Sequence, residues 1–133
     1  MSGNTTFGNG ALNNNQSNQN SAFGYHALYD NTDGYQNTSI GSQSLENNIQ
    51  GINNTSVGYR SIKNNIQGNQ NTILGSLAGN TIEGNRNTLI GFKADVSNQN
   101  AKNRIAIGSH SNNNEDNTVV LGDSNVYKIK SGG

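Results

Sequence analysis

Asn37-Thr38-Ser39-Ile40-Gly41 and Asn54-Thr55-Ser56-Val57-Gly58 are two copies of the short motif that decides the fold. The motif, Asn-[Ser/Thr]-x-[aliphatic or Phe]-Gly, recurs along the whole chain, and in its last two copies the Asn stands one place earlier. Its glycines are Gly8, Gly24, Gly41, Gly58, Gly75, Gly91, Gly108 and Gly122, separated by 14 to 17 residues. Eight copies at a near-constant period predict a solenoid in which each repeat forms one coil.

The spacing within a repeat predicts the shape of one coil. Apolar and polar residues alternate in the motif, which is typical of a β-strand, and the glycine that follows permits a turn. A second glycine column follows nine or ten residues later, at Gly34, Gly51, Gly68 and Gly84. A second apolar column lies between the two glycines, at Leu12, Leu28, Leu45 and Ile62. We therefore expect two strands and two turns per coil, and an all-β parallel β-solenoid of about eight coils forming one domain over residues 1–133.

The two faces of the predicted strand differ in character. The strand consists of the three residues before the repeat glycine, such as Thr38-Ser39-Ile40, and its first and third residues share one face. In the last two copies these two positions are Ile105 and Ile107, and Val119 and Leu121, which predicts that they face the coil interior. The middle residues would then point outward, as the column Ala22, Ser39, Ser56, Ile73, Leu89, Ala106 and Val120. A solvated column would be charged or long and polar, so we expect other copies of the chain to cover it. Because the core of one coil is thin, we expect a homotrimer with this column near the shared axis.

Asparagine is the most conspicuous residue of the chain, with 28 among 133 residues. Asparagine tolerates left-handed backbone geometry in turns, and stacked copies can form a side-chain amide ladder. We expect both roles here.

The repeated motif resembles the repeats of trimeric autotransporter adhesin heads of the YadA-like family and the longer repeats of phage-type tail fibres. The stretch Gly24-Tyr25-His26-Ala27-Leu28-Tyr29-Asp30-Asn31-Thr32-Asp33-Gly34 is similar to the second type. The resemblance covers residues 3 to 126 and implies a left-handed, trimeric β-roll with an adhesive or receptor-binding role. It implies a structural segment of an extracellular, cell-surface or virion fibre, with a cell-surface receptor or glycan as its partner. The first coil begins at Gly3 with no cap-like helix or charge cluster before it, so we separately expect its edge to join a neighbour, either more of a longer fibre or the next copy in a head-to-tail filament.

Composition excludes several other classes of function. A formal net charge of zero argues against a nucleic-acid-binding surface, no apolar run is long enough to insert into a membrane, and no cysteine can bind a metal. His26 and His110 fall in a column shared with Gln43, Arg60 and Lys93, which indicates a solvated position. The acidic stretch Asp30-Asn31-Thr32-Asp33-Gly34 does not match a calcium loop. We expect no enzyme activity, cofactor or metal.

Surface residues leave a choice of roles. Tyr25, Tyr59 and Phe92 each follow a repeat glycine and are candidates for surface binding, although they could instead shield coil edges or line the trimer seam. The alternative function is ice binding through the hydroxyl column Thr5, Ser21, Thr38, Thr55, Thr72 and Thr88, which would have to face outward. A glycan-processing spike would need a carboxylate pair, and the acidic residues are too scattered for one.

The carboxyl-terminal residues alternate apolar and basic from Val126 to Lys130. Lysine on an edge strand blocks further pairing, so this segment is predicted to close the rod at that end.

Overall fold

The computed structural model describes residues 3–80 and 82–125, and in them the chain winds as a β-solenoid with no helix. One strand from each of eight rungs lies in a single parallel sheet, so the chain makes about seven turns. The strands of this sheet are β1 (Thr5–Phe7), β2 (Ser21–Phe23), β3 (Thr38–Ile40), β4 (Thr55–Val57), β5 (Thr72–Leu74), β6 (Thr88–Ile90), β8 (Ile105–Ile107) and β10 (Val119–Leu121). The predicted fold class is confirmed, whereas the predicted closing strand after Val126 lies outside the described residues.

Equivalent positions of successive repeats stack directly on one another. In the pairing of β3 with β4, Ser39 lies opposite Ser56 and Ile40 lies opposite Val57. The same register holds where the interval shortens to 14 residues, so that Ala106 lies opposite Val120. Each column of the sequence is therefore a row of side chains along the rod, with one member every ~4.8 Å.

The predicted orientation of the strand is wrong. The middle residues, assigned to an outward trimer-axis column, point into the coil of their own chain: Ala22, Ser39, Ser56, Ile73, Leu89 and Ala106 are fully buried, and Val120 is half-buried in the last rung. The flanking positions, which were expected inside, face outward, and Ile40 and Ile107 are exposed. The column cannot provide a contact surface near a shared axis, because a single chain already encloses it.

Limited space in the coil interior explains this reversal. The middle residues pack against Leu28, Leu45 and Ile62, which are fully buried as predicted, and the same interior also holds a row of asparagine side chains. Small middle residues such as Ala22 and Ser39 fit beside this Leu and Ile column, and the larger Ile73 lies next to Gly79, which has no side chain.

Most coils have one strand rather than the predicted two. The second apolar column adopts left-handed backbone geometry, with φ of 50° at Leu28, 48° at Leu45 and 45° at Ile62, and this geometry is incompatible with a strand. Within residues 3–80 and 82–125, a second strand forms only where β7 (Asp95–Val96) pairs with β9 (Asn112–Asn113).

The asparagine of the motif forms the predicted ladder inside the coil. Asn54 is fully buried; its Oδ1 accepts a hydrogen bond from the backbone N–H of Asn71 in the next rung at 3.0 Å. Its Nδ2 donates to the carbonyl of Gly68 across the coil at 2.8 Å. The remaining members of this ladder are Asn4, Asn20, Asn37, Asn71 and Asn87. Left-handed geometry belongs to the preceding residue instead, as at Asn53 with φ of 57°.

A second ladder stabilises the opposite turn. The amide of Asn48 donates to Asn31 Oδ1 at 2.7 Å, and the amide of Asn65 donates to Asn48 Oδ1 at the same distance. Gly51 belongs to this turn, and a Cβ there would collide with the amides of Asn48 and Asn65. The second glycine column is thus required for space.

The first ladder ends at Arg104, which stands where the motif has asparagine. Its backbone N–H still bonds to Asn87 Oδ1 at 3.0 Å, but its buried guanidinium donates to Asp116 at 2.6 Å and to the carbonyl of Asn113 at 3.0 Å. A hydrogen bond from the backbone N–H of Lys102 and one from Arg104 lower the pKa of Asp116. The ladder ends at this rung because the Arg104 side chain has no oxygen that could accept a hydrogen bond from the next rung.

Candidate interaction surfaces

The outer face of the long sheet carries an apolar row. From the first rung to the last it consists of Phe7, Phe23, Ile40, Val57, Leu74, Ile90, Ile107 and Leu121. Phe7 is 76% exposed and Leu74 is 49% exposed, and every member is at least partly accessible in the single chain. Sequence reasoning missed this surface, although two phenylalanines at one position of a thin coil were a signal that the position faces outward.

The hydroxyl column considered for ice binding lies on the same outer face. Thr38, Thr55 and Thr72 stand opposite one another in adjacent strands, and each lies two residues from the apolar row. Thr55 and Thr72 are exposed and Thr38 is half-buried. At the carboxyl-terminal end, Ile105 and Val119 replace the hydroxyls.

The turn after the strand carries a third outward row, in which aromatic and small residues alternate. Tyr25, Ser42, Tyr59, Ser76, Phe92 and Ser109 follow the repeat glycines of rungs two to seven. Backbone hydrogen bonds keep this row in register, as where Gln43 N–H bonds to the Tyr25 carbonyl at 2.8 Å. The structure thus places Tyr25, Tyr59 and Phe92, the predicted surface residues, on the outside and two rungs apart.

Each of the three rings is half-exposed and is contacted by the residue that follows it. His26 stacks on Tyr25 with ring centroids 3.9 Å apart, Arg60 lies over the Tyr59 ring at 5.2 Å, and Lys93 lies over Phe92 at 5.3 Å. These following residues have left-handed backbone geometry, which turns their side chains back toward the rings. The rings are therefore supported on a rigid turn.

A small charged network lies beside Tyr25. Glu46 Oε2 accepts from Lys63 Nζ at 2.7 Å, Gln43 donates to both carboxylate oxygens, and His26 Nδ1 lies 3.3 Å from Oε1. Burial opposes ionisation of Glu46, but the hydrogen bonds from Lys63 and Gln43 outweigh it and lower the pKa of the carboxyl. The network links three rungs and is fully explained by packing and charge pairing.

A groove of about 450 Å³ lies beside Phe92, the last ring of the turn row. It is lined by Leu77, Asn80, Lys93, Asp95, His110 and Asn112. Lys93 and His110 both contact Phe92, so the groove borders the third ring of the aromatic row.

The two histidines contact different aromatic rings, and each also lies within hydrogen-bond distance of a side-chain oxygen, that of Glu46 for His26 and that of Ser109 for His110. His26 lies against Tyr25 and Tyr29, whereas His110 lies against Phe92. Within residues 3–80 and 82–125, no three His, Cys, Asp or Glu side chains are close enough to hold a metal ion. The same residues include no helix that is long and apolar enough to cross a membrane.

Comparison with known proteins finds no family model and no curated protein that matches this chain.

Proposed function

We propose that this chain is a rigid segment of an extracellular, cell-surface or virion fibre, in which three copies pack through the outer face of the sheet. The observation that carries the proposal is the row of eight outward apolar side chains, from Phe7 to Leu121, running the length of the rod. Exposed apolar surface of this continuity marks a protein interaction site. The resemblance of the repeats to trimeric adhesin heads favours three copies, and the turn rows would remain available to bind a receptor or glycan.

Matched isoleucines test the assembly surface. Ile40 lies on the apolar row and Ile66 lies on the second turn, and both are 41% exposed in the single chain. Ile40→Lys should dissociate the assembly, because three desolvated ammonium groups would meet without partners. Ile66→Lys should leave it intact. Light scattering should give three times the 14.1 kDa chain mass for the wild type, and a stable folded monomer would overturn the proposal.

Ice binding is the second candidate, and the outward position of the hydroxyl column favours it. Thr38, Thr55 and Thr72 form a regular row on an outer sheet face, which is the arrangement an ice-binding surface requires. The two functions demand opposite states of this face, since ice binding needs it bare and a trimer covers it. Thermal hysteresis measured on the wild type and on Thr55→Tyr distinguishes them. Hysteresis that the substitution abolishes supports ice binding, and its absence in the wild type removes this candidate.

A further inference from the structure

The alternation of aromatic and small side chains along the turn row suggests what it binds. Tyr25, Tyr59 and Phe92 are separated by Ser42 and Ser76, so the rings recur every second rung, ~9.6 Å apart. A protein surface made only to shield the coil edges has no need of rings at one fixed interval. The disaccharide repeat of an extended β-1,4-linked glycan chain has nearly the same length. Every second sugar of such a chain would meet a ring, and the intervening sugars would lie over the serines.

The chemistry of the row suits a neutral sugar chain. The C–H groups on the face of a pyranose carry partial positive charge and pack against the electron-rich face of an aromatic ring. The rings need to be rigid and about half-accessible for this contact, and Tyr25, at 51% exposed, is held by the stacked His26. The hydroxyls of a sugar require both donors and acceptors around its rim. The groove beside Phe92 supplies both, from Lys93 and Asp95 among others.

We infer that the turn row is a binding site for a neutral, extended β-1,4-linked glycan chain, with Tyr25, Tyr59 and Phe92 as three successive stacking platforms. The balanced charges of the groove and the zero net charge of the chain favour a neutral polysaccharide over an acidic one. This inference rests on the surface-binding part of the proposed function and names the ligand class. Its test does not require a particular number of chains, because binding is measured on the full chain in the assembly that it forms.

Titration calorimetry with oligosaccharides of two lengths tests the site on the full chain. Cellohexaose and chitohexaose can span all three rings, whereas cellobiose and chitobiose can cover one. At least one hexasaccharide should bind much more tightly than its disaccharide. Tyr59→Ala removes the central platform and should weaken hexasaccharide binding about fivefold to tenfold, while Tyr59→Phe keeps the ring and should bind like the wild type.

Tyr35 provides the matched control. It is an exposed tyrosine on the second turn, away from the row, so Tyr35→Ala should leave binding unchanged. The inference is overturned if neither hexasaccharide binds, or if Tyr59→Ala binds as well as Tyr35→Ala. Light scattering on the same samples separates the two proposals. A trimer that binds no glycan refutes only the ligand, and a monomer that binds through Tyr59 refutes only the assembly.

Discussion

Removal of one asparagine from the first ladder should destabilise the whole rod. In Asn54→Ala, the buried N–H of Asn71 loses its acceptor, and an unpaired buried donor costs about 2 kcal/mol. The carbonyl of Gly68 loses one of its two donors but keeps the amide of Asn65, so its loss is that of an ordinary hydrogen bond, about 1 kcal/mol. The expected loss of unfolding free energy is about 3 kcal/mol per chain, which lowers the melting temperature by about 10 °C.

Thermal unfolding followed by circular dichroism measures this loss. Asn64→Ala is the control, because Asn64 is exposed and its side chain accepts one hydrogen bond from Asn47 at 2.7 Å. An Asn54→Ala melting temperature no lower than that of the control would refute the view that the ladder holds the rungs together.

Asn54→Asp examines the same ladder through pH. The new carboxyl keeps an acceptor for Asn71 but faces the Gly68 carbonyl and Asn37 Oδ1, which are both acceptors. The protonated acid can donate to them and the carboxylate cannot, so the pKa of the new group should be raised in the folded state. The stability deficit relative to the wild type should therefore shrink as the pH falls through this raised pKa. A deficit that does not change with pH would contradict the assigned donor direction.

Three further predictions follow from local geometry. Gly58 has φ of 138°, and a Cβ there would lie 2.5 Å from the Gly75 carbonyl oxygen. Gly58→Ala should therefore lower the free energy of unfolding by well over the ~1 kcal/mol that backbone strain alone would cost. A urea midpoint equal to that of the wild type would contradict the turn assignment. Folding lowers the pKa of Glu46, so the stabilising contribution of its carboxylate is present at neutral pH and is lost as the pH falls through the folded pKa. The melting curves of Glu46→Gln and the wild type should therefore differ at pH 7 and converge in acid. Asn65→Ala should lose less unfolding free energy than Asn48→Ala in denaturant titrations. Asn65 Oδ1 accepts no hydrogen bond from the described residues, whereas Asn48 Oδ1 accepts one. Equal losses of unfolding free energy would contradict this ranking.

The periodic motif made the architecture predictable, because every coil of a solenoid has the same local structure. With eight copies, the residues that this structure requires can be distinguished from those that vary by chance. The glycine turns, the buried Leu column and the asparagine ladder all follow from residues whose backbone or hydrogen-bonding requirements are unusual. Strand orientation could not be read in the same way. Hydrophobicity alone favoured Ile105 and Ile107 for the interior, but the residue between them, Ala106, is the fully buried one.

The surfaces were only partly predictable. Tyr25, Tyr59 and Phe92 could be identified as outward because they follow turn glycines, but their two-rung interval becomes meaningful only when stacking in register turns sequence spacing into distance. The second strand was wrongly predicted for most coils, because an apolar column also suits a left-handed turn when a buried Leu compensates for the strained backbone. The groove beside Phe92 combines residues from three rungs, and such proximity cannot be read from one repeat.

Because successive repeats stack in register, a change in the number of repeats alters the length of the rod and leaves the structure of each rung unchanged. Residues 42–58 contribute one member to every row, so duplication of this unit inserts one rung and lengthens the rod by ~4.8 Å without disturbing its neighbours. A single duplication would, however, place two serines in succession on the turn row. Duplication of residues 42–75 adds a serine and a tyrosine together and preserves the alternation. Evolution can thus change the reach of the rod one rung at a time, but an uninterrupted aromatic row can lengthen only by pairs of rungs.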